Sequence, residues 1–245
     1  MKFFLTIALL FLVTVSVAQK TYTYNDQVWL NYFNQTRVSD KWGLWFDASI
    51  RTKNQLVHQF SQGFARFGVT RIVNENWRFT AGYAYMHHFA NSTHPLTDRP
   101  EHRPFEMIQW QKQFSKWRVV QTARLEQRFR HRIKEGDLGD GYNFNHRARY
   151  AVSITRALSK HAFEPKTLSV QFGGELFGNF GKEIVHNHFD QVRLNAGLNY
   201  HVNSQTSFMI GYLYQYQQFT NGKGFNKLNG VRATITQQVD WRKKI

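Results

Sequence analysis

The sequence predicts an all-β fold, a transmembrane antiparallel up-and-down β-barrel of about twelve strands, in a range of roughly ten to twelve. First, apolar and polar side chains alternate along many segments, as in Trp77–Phe89, where the aromatic residues share one face. Second, these segments are long: soluble strands average about 5 to 6 residues, whereas about 9 to 11 tilted residues cross hydrocarbon. Third, short polar turns alternate with longer polar loops. Together these features are the sequence signature of an outer-membrane barrel.

Residues 1–18 are predicted to be a cleaved signal peptide. The chain opens MKFFLTIALLFLVTVSVAQK, with one lysine, an apolar run over residues 3–15, and small side chains at the two key positions before a cut after Ala18. A retained anchor helix is the alternative, but the run is short for the about 20 residues that span a bilayer. We therefore expect an exported barrel domain over residues 19–245.

The alternating segments follow one another along the rest of the chain. They predict strands near residues 27–38, 42–52, 60–73, 77–89, 105–114, 117–133, 142–157, 167–178, 188–202, 206–220 and 227–239. Bacterial single-chain barrels have an even number of strands, so Tyr22–Asn25 is predicted to add a short twelfth strand. The longer connections are predicted to be extracellular, at residues 53–59, 90–104, 134–141, 179–187 and 221–226.

Tryptophan follows several of the short turns at the same offset. SDK precedes Trp42, NEN precedes Trp77 and SK precedes Trp117, while Trp241 stands near the end of the last segment. Amphipathic indole rings prefer the level of the lipid headgroups, so these four residues are predicted to form a membrane-interface girdle at the periplasmic side. Core packing in a soluble β-sandwich is the alternative, but a sandwich favours shorter strands.

Composition narrows the function classes. The chain has no cysteine, which excludes a disulfide scaffold, a cysteine-ligated zinc site and a lipid-modified N-terminal cysteine. Its net charge is +16 at pH 7. An exported chain does not normally meet chromosomal DNA, so we expect no nucleic-acid partner, and we expect the charge to face anionic solutes, outer-membrane lipid or lipopolysaccharide. No cofactor is predicted, and the sequence does not reveal whether the protein has a partner protein.

The segment RLEQRFRHR, residues 124–132, carries the densest positive charge. By itself it fits a basic helix or a strand, because residues four apart share a face in both. In the barrel its arginines point inward, as do others of the same phase: Arg51, Arg66, Arg78, Arg118, Arg193 and Arg232. Only four acidic residues share that phase: Asp47, Glu126, Glu175 and Asp240.

The inward arginines near the outer mouth are the predicted ligand site. We expect an electropositive vestibule that binds phosphate, sulfate or carboxylate groups and is formed by Arg124, Arg128, Arg130, Arg132, Arg147 and Arg149. The alternative is structural: arginines paired with acidic residues fill the interior of many small barrels.

Signals for metal binding and catalysis are weak. Nine of the eleven histidines fall in the predicted outer half, and His186 and His188 point to one side of a strand, but two ligands without a third do not predict a metal site. Ser92, His94, Asp98 and His102 share one loop and contain the ingredients of a hydrolase, without a motif that fixes their geometry. We therefore predict no metal site and no catalytic residue.

The layout of short polar turn, tryptophan and alternating strand resembles the family catalogued as domain of unknown function 2490. The resemblance rests on SDKWGLWFDASIR and NENWRFTAGYAYMHH, and on RPFEMIQWQ paired with FSKWRVVQTARLEQRFRHR. It covers most of the chain after the signal peptide and is strongest from Trp29 to Arg132. It implies an outer-membrane β-barrel of a Gram-negative bacterium. Because the family supplies no established activity, the resemblance implies no catalytic residue.

The function expected from the sequence is therefore non-enzymatic. We expect the bacterial outer membrane as the location, and a narrow anion-preferring channel or a structural or accessory barrel as the role. Two alternatives remain open: an outer-membrane enzyme that modifies lipid or glycan, and a binder of an anionic ligand at the outer mouth.

Overall fold

The computed structural model describes residues 20–53, 59–90 and 97–242, which form one closed β-barrel. Eleven strands and no helix occur within these residues: β1 (Thr21–Arg37), β2 (Trp42–Lys53), β3 (Gln59–Ile72), β4 (Trp77–His88), β5 (Arg99–Phe114), β6 (Trp117–Lys134), β7 (Asp137–Ala157), β8 (Thr167–Phe180), β9 (Phe189–His201), β10 (Thr206–Gln218) and β11 (Gly224–Asp240). The predicted all-β barrel is confirmed, and RLEQRFRHR is part of a strand. The predicted signal peptide lies outside the described residues. In the described part of the chain no helix is long and apolar enough to cross a membrane.

The barrel closes through a parallel pair of strands. All other neighbours are antiparallel, but β1 and β11 run side by side in the same direction, from Thr21 opposite Gly224 to Arg37 opposite Asp240. The predicted separate twelfth strand is wrong, because Tyr22–Asn25 is the beginning of β1. An odd number of sequential strands leaves the first and last parallel, so the barrel is mixed rather than wholly antiparallel.

The connections divide the barrel into two ends. The end that we call the short-turn end has the connections 38–41, 73–76, 115–116, 158–166 and 202–205. The opposite end, which we call the loop end, has the connections 54–58, 89–98, 135–136, 181–188 and 219–223. β1 begins at the loop end and β11 finishes at the short-turn end.

Two predicted loops at the loop end are partly strand. β5 begins at Arg99, and β7 begins at Asp137. Between β6 and β7 only Glu135 and Gly136 form the turn, with φ of 53° and 92°. Positive φ at both central residues is the primed hairpin geometry that matches the strand twist. The predicted loops 90–104 and 134–141 were too long because polar and proline-containing segments resemble loops, whereas a barrel accepts polar residues on its inner face.

Strand register gives the barrel an apolar outer face and a polar inner face. Outward residues such as Leu30, Phe67, Phe172 and Ile210 are exposed. Two small apolar clusters interrupt the polar interior: one contains Trp29, Leu213 and Leu228, and the other contains Trp45, Phe105 and Met107, with Phe33 packed against it.

Candidate functional site

A cavity of about 1250 Å³ occupies the barrel interior. Its lining begins at the loop end with Thr23, Thr97 and Asn221, and reaches Asn199 and Thr236 in the half of the barrel nearer the short-turn end. Among the described lining residues only Asp47 and Glu175 are carboxylates. The cations are Lys53 and ten arginines: Arg51, Arg66, Arg99, Arg103, Arg128, Arg130, Arg147, Arg149, Arg193 and Arg232.

Glu101 organises the arginines nearest the loop end. Its carboxylate is fully buried and accepts hydrogen bonds from Arg103 and Arg128, each with a shortest distance of 2.7 Å. His88 Nε2 lies 3.0 Å from the same group. Glu101 lies behind these side chains and does not line the cavity. The arginine side chains therefore face the cavity, whereas the carboxylate does not.

Glu126 holds a second group of arginines from behind the cavity wall. Arg147 donates to its Oε2 atom at 2.6 Å, and Arg103 lies 3.5 Å from the same oxygen. Arg147 also reaches Asp190, at 3.3 Å. Asp190 stands where the register between β8 and β9 shifts, and it is buried beside Gln191. The bulge therefore turns an acid inward that strict alternation would place outside.

The two carboxylates on the cavity wall also have partners. Arg66 forms an ion pair with Asp47 through two hydrogen bonds. Glu175 lies 2.9 Å from Arg149 and 3.6 Å from Arg193.

The predicted vestibule is only partly assembled. Arg124, Arg128, Arg130, Arg147 and Arg149 face the interior, as the strand phase predicted. Arg132 does not: it lies at the shift of register in the β6–β7 hairpin, is exposed, and does not line the cavity. Of the inward five, only Arg130 has no carboxylate contact among the described residues, and it donates to Asn145 at 2.9 Å. Their role in anion binding stays a prediction.

Arg51 and Arg232, both outside the predicted site, have no carboxylate partner within the described chain. The Arg51 guanidinium stacks over Trp29, with its carbon 3.6 Å from the ring centre, and its Nε atom is buried without a hydrogen bond. Trp29 on β1 pairs with Arg51 on β2 and, on its other side, with Arg232 on β11. The Nε atom of Arg232 is likewise buried without a hydrogen bond.

An aromatic cluster narrows the barrel on one side. Trp45 contacts Phe33 and Phe105 edge-on, with ring centres 5.6 Å apart in both pairs. Gln35 reaches Gln109 across the interior at 3.5 Å. These contacts join β1 and β2 to β5 and fill the space beside the cavity.

The predicted girdle tryptophans share one end of the outer face. Trp42, Trp77, Trp117 and Trp241 are all exposed at the short-turn end. Cationic side chains lie beside these rings, with Arg71 5.0 Å from the centre of Trp42 and Arg156 5.3 Å from that of Trp117.

A second aromatic belt, which the sequence analysis missed, surrounds the loop end. Its outward rings contact one another from strand to strand and are Phe60, Phe89, His87, Tyr85, Tyr83, His102, Tyr142, His131, Phe129, Phe144, His146 and Phe180, with Phe189, Tyr216, Phe225 and Tyr22 further round. Lys227 lies 4.4 Å from the Tyr22 ring centre. The sequence contained the signal as aromatic residues in outward phase, but four of these sixteen rings are histidines.

The two candidate hydrolase residues that the structure describes, Asp98 and His102, do not contact each other. Asp98 accepts hydrogen bonds from the Ala90 amide and from His87, and these lower the pKa of its carboxyl group. His102 faces outward and bonds Tyr83. Ser92 and His94 lie outside the described residues. Across residues 20–53, 59–90 and 97–242, no three potential metal ligands come together.

Comparison with known proteins adds one finding. A search of curated proteins gave no match. The model of one family, described as protein of unknown function (DUF2490), matches residues 26–226, which include all or part of every strand. The chain belongs to this family.

Proposed function

We propose that the protein is a non-enzymatic outer-membrane β-barrel whose interior forms a narrow anion-preferring path. One observation carries the proposal: eleven cationic side chains and only two carboxylates face the cavity among its described lining residues. Inside a narrow space of low dielectric, such a wall raises the local concentration of anions and repels cations.

The outer face supports a membrane location. Apolar side chains lie between the tryptophans of the short-turn end and the aromatic belt of the loop end. From Trp77 to His87 a strand advances ten residues, which at about 3.4 Å each and a tilt of about 40° covers about 26 Å. This matches the apolar band of about 25 Å expected of a membrane barrel.

The cations beside both belts suggest which lipids would surround the barrel. Arg71 and Arg156 accompany the tryptophans, and Lys20 and Lys227 accompany Phe225 and Tyr22. Long basic side chains at this level reach headgroup phosphates while their stems lie on apolar surface. Outer-membrane lipid and lipopolysaccharide are therefore the proposed surroundings.

A structural or accessory barrel is the second candidate. It is favoured by the Trp45 cluster, which narrows the interior, and by the carboxylates Glu101 and Glu126, which hold four of the arginines in place. A barrel filled in this way gains rigidity and need not conduct.

Planar-bilayer recordings separate the two candidates. The wild-type barrel should conduct, with a reversal potential that favours chloride over potassium. Arg130→Glu changes the cavity charge by two without removing a carboxylate contact, and it should weaken this preference. Arg132→Glu is the matched control, because the same change two residues along the strand lies outside the cavity.

The outcomes are distinct. If no conductance appears at any salt concentration, the structural candidate replaces the channel. If Arg130→Glu and Arg132→Glu change selectivity equally, the cavity wall does not set the anion preference. Membrane fractionation and heat-modifiable migration on a gel test the proposed location and the barrel.

A further inference from the structure

We infer that Arg51 and Arg232 form a specific site for a dianion of the phosphate or sulfate class on the cavity wall formed by β11, β1 and β2. The inference rests on the proposed function, since it locates the anion within the same cavity. It differs from the predicted vestibule, which lies across the barrel.

Arg51 and Arg232 have no counter-charge in contact with them among the described residues. Arg51 is buried, with 9% of its residue surface exposed. Its guanidinium lies over the rings of Trp29 and Phe64, and no carboxylate among the described residues contacts it. Arg232 has neither an ion pair nor a hydrogen bond from its guanidinium within the described residues, and its Nε atom is buried. A buried charge without a partner is costly, so the buried Arg51 and the half-buried Arg232 on one wall together call for an anion.

The nearby carboxylate of Glu175 is already paired with other arginines. Glu175 already accepts Arg149 at 2.9 Å and lies 3.6 Å from Arg193. Arg193 itself lies 4.9 Å from the centre of the Trp29 ring, so it brings a third positive charge close to the same indole. The wall around Trp29 is therefore short of negative charge.

The strand register places Arg51 and Arg232 close enough to share one anion. Arg232 and Arg51 both pair with Trp29, on opposite sides of β1. Two strand spacings separate their Cα atoms by about 10 Å. Two guanidinium forks at that separation can converge on one compact anion that has several oxygen atoms, each fork binding an edge. Trp29 holds the Arg51 guanidinium flat, at 3.6 Å, and so fixes the direction of one fork.

A tetrahedral dianion fits this arrangement better than a monovalent anion. Phosphate and sulfate carry enough oxygen atoms to accept from both forks and enough charge to balance both cations. Chloride satisfies neither condition. The inorganic ion and a phosphate monoester offer the same group, so the test includes both.

The experiment is equilibrium dialysis of the folded barrel with radiolabelled inorganic phosphate and sulfate, and with glycerol phosphate as the monoester. Wild type should bind saturably, with chloride and acetate as weak competitors. Arg51→Gln and Arg232→Gln should each weaken binding by about tenfold or more, since each removes a charge-assisted fork. Arg51→Lys keeps the charge but loses the fork, and should bind with intermediate affinity.

Two control variants isolate the site. Arg118→Gln removes an inward arginine that does not line the cavity and should bind as wild type. Arg130→Gln removes a cavity charge on the opposite wall; it should reduce anion selectivity in bilayers yet leave saturable binding unchanged within about twofold. Heat-modifiable migration checks that every variant is folded.

Thermal unfolding with and without phosphate tests the site even if a variant is less stable than wild type. Phosphate should raise the thermal midpoint of wild type, and it should not raise that of Arg51→Gln. A merely structural role for Arg51 on Trp29 predicts a loss of stability that does not depend on phosphate.

The inference is overturned if wild type binds no phosphate or sulfate saturably, or if Arg51→Gln and Arg232→Gln bind as tightly as wild type. Its failure is distinct from that of the proposed function. Anion-selective conductance without saturable binding would contradict the dianion site but not the channel. Saturable binding without conductance would contradict the channel and would place the site in a closed cavity.

Discussion

The carboxylates behind the cavity wall decide how the arginines are held. Glu101 and Glu126 are both buried, and each contacts more than one guanidinium. Bidentate contacts between arginine and carboxylate fix side chains that would otherwise repel one another. Glu101 and Glu126 therefore hold Arg103, Arg128 and Arg147 in fixed positions on the cationic wall.

Replacing Glu101 tests this arrangement. Glu101→Gln leaves Arg103 and Arg128 buried without their counter-charge, and we expect the free energy of unfolding to fall by about 3 to 5 kcal/mol. Urea unfolding in detergent micelles measures it. Glu164→Gln, in the exposed connection between β7 and β8, should change stability by less than about 0.5 kcal/mol. A loss below about 1 kcal/mol for Glu101→Gln would show that the network is dispensable.

The pKa of the Asp98 carboxyl group should lie below the ordinary value for aspartate. The Ala90 amide contributes most to the lowered pKa, and His87 adds to it. A depressed pKa means that the stabilisation of this connection is fully present above the unfolded value of about 3.9 and is lost as the pH falls through the folded value. An NMR titration of the Asp98 carboxyl carbon should give a midpoint below the ordinary aspartate pKa of about 3.9.

Removing His87 separates the two contributions to Asp98. In His87→Ala the midpoint should rise but stay below the ordinary value, because the Ala90 amide still donates. An unchanged midpoint in this variant contradicts the assigned hydrogen bond.

At the scale of strands, close backbone approach makes room for the aromatic cluster. A Cβ atom on Gly82 would meet the carbonyl oxygen of Phe67 and lie 2.7 Å from Phe105 Cζ. Gly82 therefore lets the backbone of β3 and the ring of Phe105 approach β4 closely.

Gly82→Ala should lower the free energy of unfolding by about 1 to 3 kcal/mol, because overpacking forces both neighbours to move. Gly174→Ala is the control: its added Cβ would lie 3.7 Å from Leu194, which is an ordinary contact, and it should be almost neutral. Urea unfolding compares the two. Equal effects would mean that the space at Gly82 has no structural importance.

The parallel closure can be tested by cross-linking, because the chain has no cysteine. Val28 pairs directly with Val231 across the closure. The double variant Val28→Cys with Val231→Cys should form a disulfide under mild oxidation, since paired strands bring Cα atoms within the required range of about 4.4 to 6.8 Å.

A strand between β1 and β11 would prevent that bond. Val28→Cys with Ile210→Cys is the control, because Ile210 lies on β10 and should remain reduced. Non-reducing gels measure both. A disulfide in the control pair, or none in the test pair, would argue against closure by eleven strands.

For the whole molecule, one acidic residue breaks the apolar outer band. Glu106 is exposed on β5, midway between Trp110 and His102, and accepts a hydrogen bond from Gln127 at 3.0 Å. An acid at this height is costly if lipid surrounds the barrel, although less costly than arginine or lysine.

Glu106→Leu should therefore raise the free energy of unfolding in phospholipid vesicles by about 1 to 2 kcal/mol. Leu125→Glu, on the neighbouring strand, should lower it. Intrinsic fluorescence during urea titration in vesicles reports both variants. If Glu106→Leu is neutral or destabilising, lipid does not cover this part of the barrel.

Strand positions were predictable because alternation is local. The outward aromatic phase of β4 and β10 is readable from adjacent residues, and turn tryptophans such as Trp42 and Trp117 mark strand beginnings. The prediction failed at Glu101 and Arg103, which the sequence placed in a loop because two prolines and several charges surround them. Their inward position depends on pairing with β4 and β6, which local sequence does not encode.

The sequence alone determined that long amphipathic strands would have to close on one another, and that most arginines would share the inner face, because side-chain direction repeats every two residues. Only the tertiary structure decided which arginine meets which acid. Glu101 and Asp190 neutralise arginines on one wall, whereas Arg51 and Arg232 stand beside Trp29 on the other without a carboxylate among the described residues. The physical reason is that charge pairing inside a barrel depends on distances across its interior, between strands far apart in the chain.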